Sequence, residues 1–139
     1  MARFAKARLN DGASVPEGHY FEITLRGQTA RFTSATYNGT LAPNYYFAQT
    51  HSGTYGVVDA AGNVANLVAA IQRWLSDLGE TRYEVTGTWG KDSMQFPNSI
   101  QVDLKAKEYS DELNFNSVVA GGGGYSFASI VSTNAFPPT

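Results

Sequence analysis

Cysteine is absent from this 139-residue sequence. That absence removes three chemistries at once: a disulfide framework, a thiolate zinc site and a cysteine nucleophile. Histidine is nearly absent too, with only His19 and His51. Two histidines without a thiolate make a poor metal set, so no metal site is expected. His51 is followed by Ser52, with Asp59 close behind. A Ser-His-Asp constellation is made by tertiary proximity, and a histidine in a Gly/Ser turn reads as a solvated loop residue. Charge is scarce: 16% of residues are Asp, Glu, Lys or Arg, against about 25% in ordinary globular domains. The net charge of −2 argues against a duplex-DNA protein, which carries a basic excess. Residues 1–37 hold five basic and three acidic side chains, the remainder five and nine, an asymmetry too mild to define a partner. No apolar run approaches the ~18–20 residues of a membrane span. The basic start "MARFAKARLNDG" is followed by no apolar segment of the secretory kind. A soluble chain with no membrane partner is expected.

What the sequence does have is aromatic and neutral polar residues in alternation. The segment "HYFEITLRGQTARFTSATY" (19–37) contains two β-rich runs around Gly27-Gln28, the pattern of a two-residue type II′ hairpin. That turn would set Arg26 opposite Thr29, Leu25 opposite Ala30, Ile23 opposite Phe32 and Phe21 opposite Ser34. One face then carries Phe21, Ile23, Leu25, Ala30 and Phe32. The other carries Tyr20, Glu22, Thr24, Arg26, Thr29, Arg31 and Thr33, with Glu22 diagonal to Arg31. Residues 63–78 read as an amphipathic helix, with Val64, Leu67, Val68, Ile71, Leu75 and Leu78 on one stripe and Trp74 widening it. Asn63 or Asp59 would cap its start and Gly79 its end. Strand patterns recur at "NYYFAQT", "RYEVTGTW", "SIQVDLKAK", "LNFNSVVA" and "YSFASIVST". "NGT" (38–40) reads as an Asn-Gly turn. The whole reads as one α+β domain over 1–139: a mostly antiparallel sheet or sandwich of about eight strands, one helix and extended termini. Residues 1–12 and 121–139 look like arms.

Catalysis has little to work with. The carboxylate neighbours Asp111/Glu112 and Glu80/Glu84 fall on turns and outward strand positions, where solvated surface is the simplest account. Gly121, Gly122, Gly123 and Gly124 form no phosphate cradle, because "YSFASIVST" after them is strand-like and no Lys-Ser/Thr opens a helix. The four glycines read as a hinge between two strands. No catalytic residue and no cofactor is expected.

Two functional readings follow. The strands of 19–59 before helix 63–78 make a ββββα order, which resembles single-strand binders of the PUR-repeat and Whirly kind. That resemblance implies single-stranded nucleic acid on the sheet face, held here by Tyr20, Arg26 and Arg31 through stacking and charge. The favoured reading is a non-enzymatic structural protein. Small, charge-poor, β-rich chains with arms resemble the building and decorating parts of phage particles, such as capsid decorations or tail subunits. Self-association or binding to other virion proteins would work by apolar burial and strand addition. The expected contacts are Phe4, Phe115, Tyr125, Phe127, Ile130 and Phe136. The expected location is the virion, or the cytoplasm under the nucleic-acid reading.

Overall fold

Alternating burial builds two sheets whose apolar sides meet around one helix. The computed structural model describes residues 5–11, 18, 20–48, 51–52, 57–58, 60–89, 100–121 and 129–133. In chain order the strands are β1 (Lys6–Asp11), β2 (Tyr20–Leu25), β3 (Gln28–Ala35), β4 (Gly39–Leu41), β5 (Asn44–Ala48), β6 (His51–Ser52), β7 (Val57–Val58), β8 (Tyr83–Trp89), β9 (Ile100–Ala106), β10 (Phe115–Gly121) and β11 (Ser129–Thr133). Helix α1 (Ala60–Asp77) lies between β7 and β8. A four-stranded antiparallel sheet has the order β11-β1-β9-β8. A five-stranded sheet has the order β10-β2-β3-β5-β4, antiparallel except for the parallel β3–β5 pair. β6 and β7 pair with each other. The α+β class, mostly antiparallel with one helix among the described residues, is the class the patterning implies.

The core forms where the inner faces and the helix stripe converge. Phe21, Ile23, Leu25, Phe32 and Phe47 of the five-stranded sheet are fully buried, as are Val102 and Leu104 of the other and Leu67 and Ile71 of the helix. Phe32 is central to the aromatic packing. Its ring stacks on Phe21 at 5.0 Å and Tyr45 at 5.4 Å, and meets Trp74 edge-on at 5.6 Å. α1 packs against β8 and β9 on one side and β5 and β3 on the other, while β10 lies against β11. Helix and β8 approach closely at Gly87, where an added Cβ would sit 2.7 Å from Val68 Cγ2 and 2.9 Å from Val64 Cγ2. Only glycine fits there without moving stiff β-branched neighbours.

The helix starts at Ala60, one turn before the expected start. Asn63 is an interior helical residue, 2% exposed, and not its cap. Ala60 and Ala61 extend the helix because alanine loses little in helical form. Asp59 precedes it but lies outside the described residues. The C-terminus ends as expected on Gly79, at φ +71°. Gly79 N–H donates to the Ser76 carbonyl and Glu80 N–H to the Leu75 carbonyl, at 3.0 and 2.8 Å. This pair of bonds is a Schellman cap.

The β2–β3 turn corrects the expected register. Its central residues are Arg26 and Gly27, both left-handed at φ 53° and 75°, as a type I′ turn requires. Pairing becomes Leu25–Gln28, Ile23–Ala30, Glu22–Arg31 and Phe21–Phe32. Moving the turn by one residue moves each partner by two, so the paired strand residues keep their faces, while Arg26 passes from the outer face into the turn. The register of β10 shifts between Phe115 and Ser117, and the Oδ1 of Asn116, at that irregularity, accepts from Gly27 N–H at 2.9 Å.

Neither terminal strand is an arm over its described residues. β1 is an inner strand, paired with β9 on one side and β11 on the other. Their partners lie about a hundred residues away, a pairing invisible to local pattern. Gly121 ends β10, and the chain from 121 to 129 connects one sheet to the other. Gly122, Gly123 and Gly124 lie outside the described residues.

Candidate functional site

Residues opposite each other on neighbouring strands share a face, so the registers give the outer surface of the five-stranded sheet directly. Its middle row runs Val119, Glu22, Arg31, Asn44, Leu41 across β10, β2, β3, β5 and β4. The row beside it carries Tyr20, Thr33 and Tyr46. On the other side lie Ser117, Thr24 and Thr29, with the two threonine hydroxyls 2.7 Å apart. Tyr37 follows β3, and its ring sits 5.3 Å from that of Tyr46, over the same face. Among the described residues the large hydrophobics left exposed are Tyr37 (54%), Leu41 (71%) and Val119 (51%). All three belong to this face.

Its charges cancel. Arg31 Nη2 donates to Glu22 Oε1 at 3.3 Å, and the Arg31 guanidinium lies over the Tyr20 ring, 4.0 Å from its centroid. The outer surface of the four-stranded sheet is different in kind. There Glu84 faces Lys105 and Lys105 faces Lys6, while Thr86 faces Asp103 and Asp103 faces Arg8. Arg8 Nε donates to Asp103 Oδ1 at 2.8 Å. That is an ordinary solvated charge lattice.

Of the residues expected to meet nucleic acid, Tyr20 and Arg31 come together and Arg26 does not. Arg26 sits in the turn, and its Nη1 donates to Glu80 Oε1 at 3.1 Å. Glu80 was expected on the surface; its side chain is 2% exposed. It accepts from Arg82 through the backbone N–H at 2.8 Å, Nε at 3.0 Å and Nη2 at 2.8 Å. Arg82 Nη2 also reaches Glu112 Oε2 at 3.0 Å. The hydrogen bonds from Arg82, helped by the charge of Arg26, hold the Glu80 carboxyl down at about 2 against the opposing effect of burial. This cluster joins the end of α1, the β2–β3 turn and the start of β8, so it is structural glue between the sheets. Asp111 accepts from Tyr109 O–H at 2.7 Å, and Glu84 lies opposite Lys105. Neither carboxylate pair converges on a cleft.

A cleft of about 450 Å³ opens beside the helix C-terminus, lined by Gln28, Thr29, Pro43, Tyr45, Trp74 and Asp77 among others. Its polar group is already engaged: Tyr45 O–H donates to Asp77 Oδ2 at 2.8 Å. Burial first and that bond second push the Tyr45 hydroxyl up to about 12.

Of the expected assembly contacts, Phe115 is buried 5.5 Å from the Tyr83 ring, inside the chain's own core. Ile130 lies in β11, on the β1 partner strand. Phe4, Tyr125, Phe127 and Phe136 lie outside the described residues, as does His19. Among the described residues no group of three His, Cys, Asp or Glu could hold a metal ion, and no helix is long and apolar enough to cross a membrane. Sequence reasoning missed Val119 and Leu41. The adjacent valines 118 and 119 carried a signal, since a half-buried strand must turn one of two neighbours outward. No family model matches the chain, and no curated protein or solved structure matches it.

Proposed function

We propose that the protein is a non-enzymatic assembly subunit, a virion component of the capsid-decoration or tail kind, that binds its neighbours through the outer face of the five-stranded sheet. The observation that carries this reading is that Tyr37, Leu41 and Val119, the large hydrophobics left exposed among the described residues, all lie on one charge-neutral face, Val119 at one edge and Leu41 at the other. Exposed apolar side chains scattered singly need no explanation; what supports the reading is that these share their face with Tyr20 and Tyr46, since contact surfaces are enriched in tyrosine and depleted in charge. The charge-poor, β-rich character of the chain is what supports the virion setting. Because β11 pairs with β1 of the same chain, face packing takes the place of an exchanged C-terminal strand as the mode of binding.

The test is co-expression with the products of the flanking genes, followed by gradient sedimentation. The protein is expected in large assemblies, and Leu41→Glu with Val119→Glu is expected to leave it at the top of the gradient. Wild-type protein that stays at the top overturns the proposal.

A second reading, single-stranded nucleic acid, is favoured by the Arg31 guanidinium over Tyr20, since sheets that hold bases combine cations with aromatic platforms. The Glu22 carboxylate beside Arg31 and the engagement of Arg26 by Glu80 leave no cationic excess for a phosphate backbone, so it ranks second. Salt-sensitive binding to a labelled single strand would reverse that order.

A further inference from the structure

The partner of this face is narrowed by where its two charges stand. We infer that the partner is a second copy of this chain, docked face to face about a two-fold axis that runs along the strands between β2 and β3. The inference rests on the interaction-face reading and gives that face its occupant.

Glu22 and Arg31 are directly opposite each other, one on each side of the β2–β3 seam. A half-turn about an axis along that seam lays each Arg31 over the partner's Glu22 and each Glu22 over the partner's Arg31. The four charges then alternate in sign. A partner with a net charge of either sign would gain from one of these residues and lose to the other, whereas a second copy satisfies both.

The rest of the row obeys the same operation. In the order Val119, Glu22, Arg31, Asn44, Leu41, Val119 comes to lie over the partner's Asn44, one strand from the partner's Leu41. At each end of the ionic centre a valine therefore faces an asparagine, with the partner's Leu41 beside it at the rim. In the neighbouring row Tyr20 comes over the partner's Thr33. The contact is isologous, as two-fold interfaces are. It also keeps the strands of the two sheets near alignment, the common geometry for stacked sheets.

The half-turn lays β10, β2, β3 and β5 of each copy over the other and leaves β4 at the rim; four strands about 4.8 Å apart and three outward rows about 7 Å apart give an overlap of roughly 19 by 20 Å per copy. That is below the standard size, in the range of weak and transient contacts, so the dimer is expected to dissociate in the micromolar range or above.

Sedimentation equilibrium over about a hundredfold concentration range around the micromolar tests the inference. Wild type is expected to convert from monomer to dimer. Glu22→Arg gathers four cations at the axis and Arg31→Glu gathers four carboxylates. Each is expected to weaken the dimer by about 30-fold or more. The double variant Glu22→Arg with Arg31→Glu restores the alternation and is expected to regain the dimer. Melting temperatures of the same samples separate this from folding: Leu41→Glu, at the rim, is expected to weaken the dimer while melting unchanged. A wild type that stays monomeric overturns the inference, as does a dimer indifferent to both single reversals. If wild type is monomeric yet still enters large assemblies, and Leu41→Glu with Val119→Glu prevents that entry, the face reading stands and the self-pairing alone falls. If assembly is absent too, both fall.

Discussion

The two sheets are alike inside and opposite outside. Both bury an alternating set of apolar side chains on a shared helix, yet one turns Lys6, Arg8, Asp103 and Lys105 to solvent and the other turns Tyr20, Tyr37, Tyr46, Val119 and Leu41. A half-buried strand fixes only one of its faces by folding. The other face is free to vary, and its composition reports what it meets. Charged pairs meet water. On the proposed reading, tyrosines and aliphatics around a single cancelled ion pair meet a surface like themselves.

The likeness inside sets the largest expected effects. Phe32→Ala, behind the apolar face, and Leu104→Ala, behind the charged one, should each destabilise by about 3–5 kcal/mol, because both leave cavities in one shared core. Denaturant midpoints measure this, and tolerance of either change would mean that the sheets do not share a core.

Next comes the acid staple between the sheets. A carboxyl held low in the folded state contributes fully above its unfolded value near 4.5, and its contribution disappears as pH falls towards about 2. For Glu80 that contribution is about 2 kcal/mol, allowing for solvent around the partly exposed guanidinium groups. Stability should therefore drop between pH 4.5 and 2, and the drop should shrink in Glu80→Gln. An unchanged acid limb in that variant would remove Glu80 from the account.

Smaller still is the Asn116 contact with the hairpin turn. Asn116→Ala should cost about 1 kcal/mol by leaving Gly27 N–H to water, measured by thermal unfolding. The smallest stability effects are expected outside. Thr88→Glu on the charged face, opposite the uncharged Gln101, and Leu41→Glu on the apolar face should each stay within about 0.5 kcal/mol. Only the second should impair association, and an equal loss in both would erase the distinction between the faces.

Much of the inside was legible in the sequence. Period-two alternation assigned Phe21, Ile23, Leu25, Ala30 and Phe32 to one face, and period 3.6 assigned the helix stripe; all five strand residues are buried. The hairpin register is not legible, because Gly27 suits either central position of a two-residue turn. Arg26 reads as an outer-face residue for the same reason: periodicity cannot show that a left-handed turn sends its guanidinium to Glu80. The burial of Glu80 follows from three chain segments meeting, and none of them signals it alone. Of the candidate face, Tyr20 and Arg31 were readable from the hairpin. Val119 and Leu41 became visible only when β10 and β4 took their places at opposite edges of the sheet.

The most direct test of the interaction face is covalent footprinting of associated and dissociated protein, read at tyrosine and lysine together. The account predicts that Tyr20, Tyr37 and Tyr46 become protected on association while Lys6 and Lys105 stay reactive. Protection of the two lysines with unchanged tyrosines would contradict it and move the interface to the other sheet.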